Sequence, residues 1–210
     1  MFHLGERATF IGQTGSGKSF AMLQILDTFY EVRQIEGFDG KADPLFSGLD
    51  VPRRNSLAAV ATLKYPKYPM VIWRPNPEAL AEPEQLDKWN QWIYRRKHTV
   101  AAIDEITLMT QNNKPPLGLL SLLARGRSRD ITVLIGTQRP RQIPMICFTE
   151  ATEIFCFRLT DKNDRKRVAE FTHPDMEIPV QDPHGFWHFR VGDDEATYYR
   201  DISIYLEEAI

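Results

Sequence analysis

Eight consecutive residues constrain this chain more than any others: Gly12-Gln13-Thr14-Gly15-Ser16-Gly17-Lys18-Ser19 fills every fixed position of the phosphate-binding pattern G-x-x-x-x-G-K-[ST]. Gly12, Gly15 and Gly17 lack a Cβ, so the backbone is free to take positive-φ turns that aim successive N–H groups at phosphate oxygens. In such a loop Lys18 reaches the β- and γ-phosphates of a nucleotide and the Ser19 hydroxyl sits on Mg²⁺. The flanks agree with that reading. Arg7–Ile11 is a short β-rich run, and Phe20–Leu26 carries helical spacing, so the helix points its N-terminus at the anion. ATP and Mg²⁺ are the expected cofactors, bound along Gly12 to Phe20.

A second stretch, Thr99-Val100-Ala101-Ala102-Ile103-Asp104-Glu105, reads as a buried strand ending in two acids. Open α/β sheets bind their ligands at that carboxyl edge. Asp104 is expected to hold the metal's hydration shell opposite Ser19, and Glu105 to polarise an attacking water, which a hydrolase needs. A third strand, Ile131–Gln138, ends in an amide. Gln138 there suits a hydrogen bond to a γ-phosphate oxygen and to the water.

The remaining pattern predicts strands over Glu31–Phe38, Met70–Arg74 and Glu153–Leu159, and helices over Pro77–His98, Leu117–Ala124 and Lys162–Phe171. Asp39-Gly40-Lys41 reads as a surface turn. Pro44–Pro69 reads as irregular, with a helical island at Ser56–Leu63. Gln111–Pro116 reads first as a connector, with DNA contact as the alternative. Phe186–Val191 and Thr197–Ile202 form a plausible closing hairpin around Gly192–Glu195.

The 210 residues suit one α/β domain, with a nucleotide-binding core over about 7–172 and a C-terminal strand extension over about 173–210. The net charge of −2 does not mark a nucleic-acid binder. Arg95–Lys97, Arg125 with Arg127 and Arg129, Arg139 with Arg141, and Lys162–Arg167 read first as solvated helix ends. Cys147 and Cys156 are expected as buried free thiols, and His173, His184 and His188 are too scattered for a metal site. No apolar run of about eighteen residues occurs, and Met1–Arg7 lacks the apolar core of a signal peptide, so an intracellular soluble protein is expected.

In this order, GQTGSGKS, VAAIDE and LIGTQRP resemble the FtsK/HerA superfamily of P-loop ATPases over roughly residues 7–172. They look most like its compact viral branch, the genome-packaging ATPases of tailless, membrane-containing double-stranded DNA viruses. The resemblance implies a RecA-like P-loop fold: a mostly parallel sheet flanked by helices, with the glutamine strand between the phosphate-loop strand and the acidic strand. It also implies a homo-oligomeric ring, usually a hexamer, around double-stranded DNA, with ATP at each subunit boundary and an arginine borrowed from the neighbour. Gly126-Arg127 matches the family's Gly-Arg pair, so Arg127 is the expected finger. A local pairing of Arg127 with Asp130 is the alternative. The long chromosome translocases of the superfamily carry membrane segments and a DNA-reading domain; a chain without them suits a motor docked on a capsid vertex, working in the host cytoplasm. A conjugation or secretion ATPase, a nucleotide or small-molecule kinase, and an ATP-binding scaffold remain as alternatives, Glu105 counting against the last two.

Overall fold

The computed structural model describes residues 3–30, 33–63 and 67–209. Its centre is a nine-stranded sheet: β1 (Arg7–Ile11), β2 (Gln34–Phe38), β3 (Arg53–Arg54), β4 (Met70–Trp73), β5 (Thr99–Ile103), β6 (Thr132–Thr137), β7 (Glu153–Phe157), β8 (Phe186–Arg190) and β9 (Thr197–Tyr199). The spatial order is β3-β4-β2-β5-β6-β1-β7-β8-β9. Pairings from β3 to β7 are parallel, and the β7–β8 and β8–β9 pairings are antiparallel. β6 lies between β1 and β5, as the resemblance implied.

Helices cover both faces, which is why β1, β5 and β6 are apolar on both sides. One core layer gathers Ile11, Trp73, Ile103, Ile135 and Ile154 under α5 (Pro83–Arg96) and α6 (Leu117–Arg125). The other gathers Phe10, Ile72, Leu134 and Phe155 under α1 (Lys18–Asp27) and the C-terminal helix α9 (Ile202–Ala209). α5 also starts α6: the Asp87 carboxylate accepts from the N–H groups of Gly118 and Leu119 at 2.8 and 3.2 Å. These donors have no helical acceptor of their own.

Three local expectations need correction. The single helix expected over Pro77–His98 is two, α4 (Pro77–Leu80) and α5, because Pro83 has no N–H to give and suits only a first turn. Within Pro44–Pro69 the helical island is present as α3 (Leu57–Val60), but so are α2 (Pro44–Gly48), capped by Asp43, and the short β3. The last strand stops at Tyr199 and does not run to Ile202. Asp201 accepts from the N–H groups of Ser203 and Ile204, turning the chain into α9. Residues 31 and 32 of the expected second strand, and 64–66 of the Pro44–Pro69 stretch, lie outside the described residues. The other helices, α7 (Ile146–Thr149) and α8 (Lys162–Ala169), flank β7 in sequence.

Two carboxyl groups are buried in the sheet, one in β7 and one in β2. Glu153, fully buried at the start of β7, receives the Tyr205 hydroxyl at 2.8 Å and Arg190 Nη1 at 2.6 Å, with His188 Nε2 at 2.9 Å. Burial opposes its ionisation, but the bonds from His188 and Tyr205 and the charge of Arg190 outweigh it and hold the carboxyl below its ordinary value. Glu36, in β2 beneath α5, has the opposite balance. Arg96 lies 3.3 Å away without hydrogen-bond geometry, and burial pushes the carboxyl up to about 8. Cys147 and Cys156 are buried and free, with thiols pushed up to about 12 by burial. No described helix is long and apolar enough to cross a membrane.

Candidate active site

The parallel strands end at one edge, and the residues singled out from the sequence, Arg127 excepted, meet there. β1 runs into the phosphate loop, which is held from below by Gly12 N–H donating to Thr137 O and Gln13 N–H donating to Arg158 O, both at 3.1 Å. Gly15 and Gly17 have φ of 75° and 92°, the left-handed backbone that the loop demanded of glycine. Gly17 then caps α1, whose first-turn N–H groups have no helical acceptor and face outward. A bowl of about 220 Å³ results, lined by Gln13 to Phe20, Asp43 to Leu45 and Gln138.

Lys18 is buried, with Nζ 3.5 Å from Asp104 Oδ1 and 3.4 Å from Asp104 O. The Ser19 hydroxyl donates to Asp104 Oδ1 at 2.9 Å. A hydroxyl and a carboxylate oxygen facing each other beside a phosphate bowl are hard donors of the kind Mg²⁺ selects. The residues therefore fit the expected nucleotide and metal.

Glu105 is buried one residue further on. Its Oε1 accepts from Thr107 Oγ1 at 2.8 Å, and its Oε2 accepts from Gln138 N–H at 3.3 Å and from Lys41 Nζ. The Gln138 side chain turns the other way, its Oε1 accepting from Thr14 Oγ1 of the phosphate loop at 3.0 Å. Gln138 thus touches the loop with its amide and Glu105 with its backbone.

Several residues of the site were not foreseen. Asp39 and Lys41 were expected on a surface turn, but Asp39 is fully buried, paired with Arg74 and accepting from Asp43 N–H at 2.9 Å. Lys41 reaches Glu105. The pair follows β2 as Asp104 and Glu105 follow β5, but that the two strands are neighbours is a property of the fold and not of the local sequence. Gly136 was also passed over; a Cβ there would lie 2.2 Å from Asp104 O and 3.2 Å from Lys18 Nζ. His184 packs against Gly17 and, with Phe20, Gln24, Asp201 and Ser203, lines a cleft of about 620 Å³ beside the loop.

Arg127 is not part of this cluster. It lies in the turn Gly126–Arg129 that precedes β6, so the length of that strand, about 20 Å, separates it from the loop edge. Among the described residues its guanidinium pairs with no acid, and Asp130, the local partner considered, sits 3.1 Å from His98 Nδ1.

No family model matches the sequence. The DNA packaging ATPase of Enterobacteria phage PRD1 is 26% identical over 181 residues, spanning 85% of this chain and 75% of that protein. Among solved structures, the genome packaging NTPase of Sulfolobus turreted icosahedral virus 2, in complex with sulfate, matches with a TM-score of 0.74 at 14% identity, over 95% of this chain and 98% of that one. The chain has the fold of the viral genome-packaging NTPases. The resemblance read from the three motifs is thereby borne out. In complex with ATP-gammaS the same Sulfolobus virus NTPase matches with a TM-score of 0.72 at 16% identity, over 94% of this chain and 97% of that one. The pCW3 conjugation coupling protein TcpA, in monomer form with ATPgS, matches this chain's fold with a TM-score of 0.59 at 15% identity, over 99% of this chain and 66% of that one.

Proposed function

We propose that the chain is an Mg²⁺-dependent ATPase that assembles as a ring, with six subunits the expected number, and drives double-stranded DNA into a viral capsid. One observation carries the enzymatic part: the phosphate loop, the Ser19–Asp104 pair and the buried Glu105 meet at a single sheet edge. The names of the phage and archaeal-virus relatives support the packaging part.

In this reading the loop N–H groups and Lys18 bind the phosphates, and the neighbouring cleft with Phe20 and His184 takes the nucleoside. Ser19 and Asp104 would hold Mg²⁺, which when bound offsets negative charge on the phosphates. A Glu105 carboxylate oxygen accepts the proton of the attacking water, and Gln138 senses the γ-phosphate while in contact with both Thr14 and Glu105. Arg127 completes the site of the next subunit, because it is a strand's length from its own. Motion follows when hydrolysis rearranges these contacts at the boundary. The work is done in the host cytoplasm at a capsid vertex. The likeness to TcpA supports a second reading, a conjugation-type motor with the same chemistry.

The test is ATP hydrolysis against protein concentration, with and without double-stranded DNA. Turnover per subunit that climbs with concentration and with DNA supports a shared-site motor. Absence of hydrolysis with DNA present and oligomers verified would refute it.

A further inference from the structure

The loop between β2 and α2 enters the site twice. Asp43, Pro44 and Leu45 line the phosphate bowl, while Lys41, two residues earlier, sends its ammonium to Glu105 Oε2. Both ends of this loop are fixed. Asp39 is clamped by Arg74, and its Oδ1 accepts from Asp43 N–H across the turn. Gly40 packs so closely that a Cβ would lie 2.5 Å from Leu108, and Ala42 is held at a φ of 56°. A backbone pinned in this way presents the Lys41 side chain in one direction. That side chain is 31% exposed and its partner Glu105 only 4%, so the contact closes over a buried carboxylate from the solvent side.

Glu105 accepts from Thr107, from Gln138 N–H and from Lys41. A carboxylate has roughly four lone-pair directions, so three contacts leave about one for a water. Thr107 and Gln138 N–H come from the segments that follow β5 and β6; Lys41 supplies the third point from the loop that follows β2, and three points fix the plane of the carboxylate.

We infer that Lys41 is a positioning residue: it sets the orientation in which Glu105 meets the attacking water, and through the shared loop it ties that orientation to occupancy of the phosphate bowl. This rests on the reading of Glu105 as the residue that activates water. Displacing a general base by about 1 Å can cost on the order of 10²-fold in rate, so the effect belongs in turnover and not in nucleotide binding.

The test uses the full chain, with oligomeric state checked, as wild type, Lys41→Met, Lys41→Arg, Glu105→Gln and the double variant Lys41→Met/Glu105→Gln. Single-turnover ATP hydrolysis and ATP-gammaS affinity are measured for each. Lys41→Met is expected to slow the single turnover about 10²-fold with affinity unchanged within about twofold, Lys41→Arg to recover part of the rate, and the double variant to be no slower than Glu105→Gln alone. Wild-type or faster hydrolysis by Lys41→Met overturns the inference. So does a loss of affinity that matches the loss of rate, or further slowing of Glu105→Gln by the second change, because Lys41 would then act on the nucleotide and not through Glu105. Wild-type turnover in Glu105→Gln would instead remove the reading of Glu105 itself, and the inference with it.

Discussion

The Ser19 hydroxyl donates to Asp104 Oδ1 at 2.9 Å, joining the end of the phosphate loop to the end of β5 across the intervening strand β6. Asp104→Asn keeps the volume and removes the charge. The Mg²⁺ concentration for half-maximal ATP hydrolysis is expected to rise about 10-fold or more, while the melting temperature stays near the wild-type value. An unchanged Mg²⁺ titration would take Asp104 out of the metal site.

Lys18 and Arg127 stand at opposite ends of the parallel strands, so in the proposed ring a boundary between subunits would take Lys18 from one and Arg127 from the other. Lys18→Ala and Arg127→Ala are each expected to be inactive, the second by roughly 10³-fold. Mixed in equal amounts they should regain part of the wild-type hydrolysis, since some boundaries then hold both intact residues. Mixtures as inactive as the separate variants would argue against a shared site.

Glu36 makes stability depend on pH. Its folded carboxyl titrates near 8 against an ordinary value of 4.5, so between those values the folded chain keeps a proton that the unfolded chain has lost. Stability from this group is complete below about 4.5 and is lost as pH rises through about 8. Glu36→Gln should therefore narrow the difference in melting temperature between pH 5 and pH 9, as read by thermal denaturation. An unaltered difference would mean that Glu36 stays ionised.

Much of the site was legible in the sequence because its chemistry stands where strands end, and strand ends are written locally. Gly12 to Ser19, Asp104 with Glu105, and Gln138 each follow an apolar run that can be read without the rest of the chain. Asp39 and Lys41 follow one too, but their residue types are those of a surface turn. What buries Asp39 is Arg74, 35 positions away, and what occupies Lys41 is Glu105, 64 positions away. Such pairings depend on the order of strands, which local pattern does not encode. The break at Pro83 and the capping of α2 by Asp43 were local, and the proline positions announced both. The segment from Ile202 was harder: Ile202 and Tyr205 have β-type side chains, and burial in one cluster with Phe155 and Phe186, whose rings Tyr205 meets directly, settles them as helix.

Tyr205 and Glu153 lock α9 to the sheet. Tyr205→Phe removes one hydrogen bond to a buried carboxylate, a loss of about 2 kcal/mol, and should lower the melting temperature by roughly 5 °C. Glu153 is held below its ordinary value, so its contribution is present above about 4.5 and is lost as pH falls through the lower folded value. Removing one of its donors should bring acid unfolding on at a higher pH. A variant that melts with the wild type at pH 7 and pH 4 would show the hydroxyl to be idle.

Cys147 and Cys156 are the two cysteines of the sequence, both buried and both held as unreactive thiols. Chemically, the surface of this chain is blank to maleimides. A Ser128→Cys variant, at an exposed position beside Arg127, would then take a single fluorophore without any native cysteine being replaced, and in the proposed ring a mixture of donor-labelled and acceptor-labelled subunits would let a spectrometer follow the spacing of the Arg127 turns while ATP is consumed.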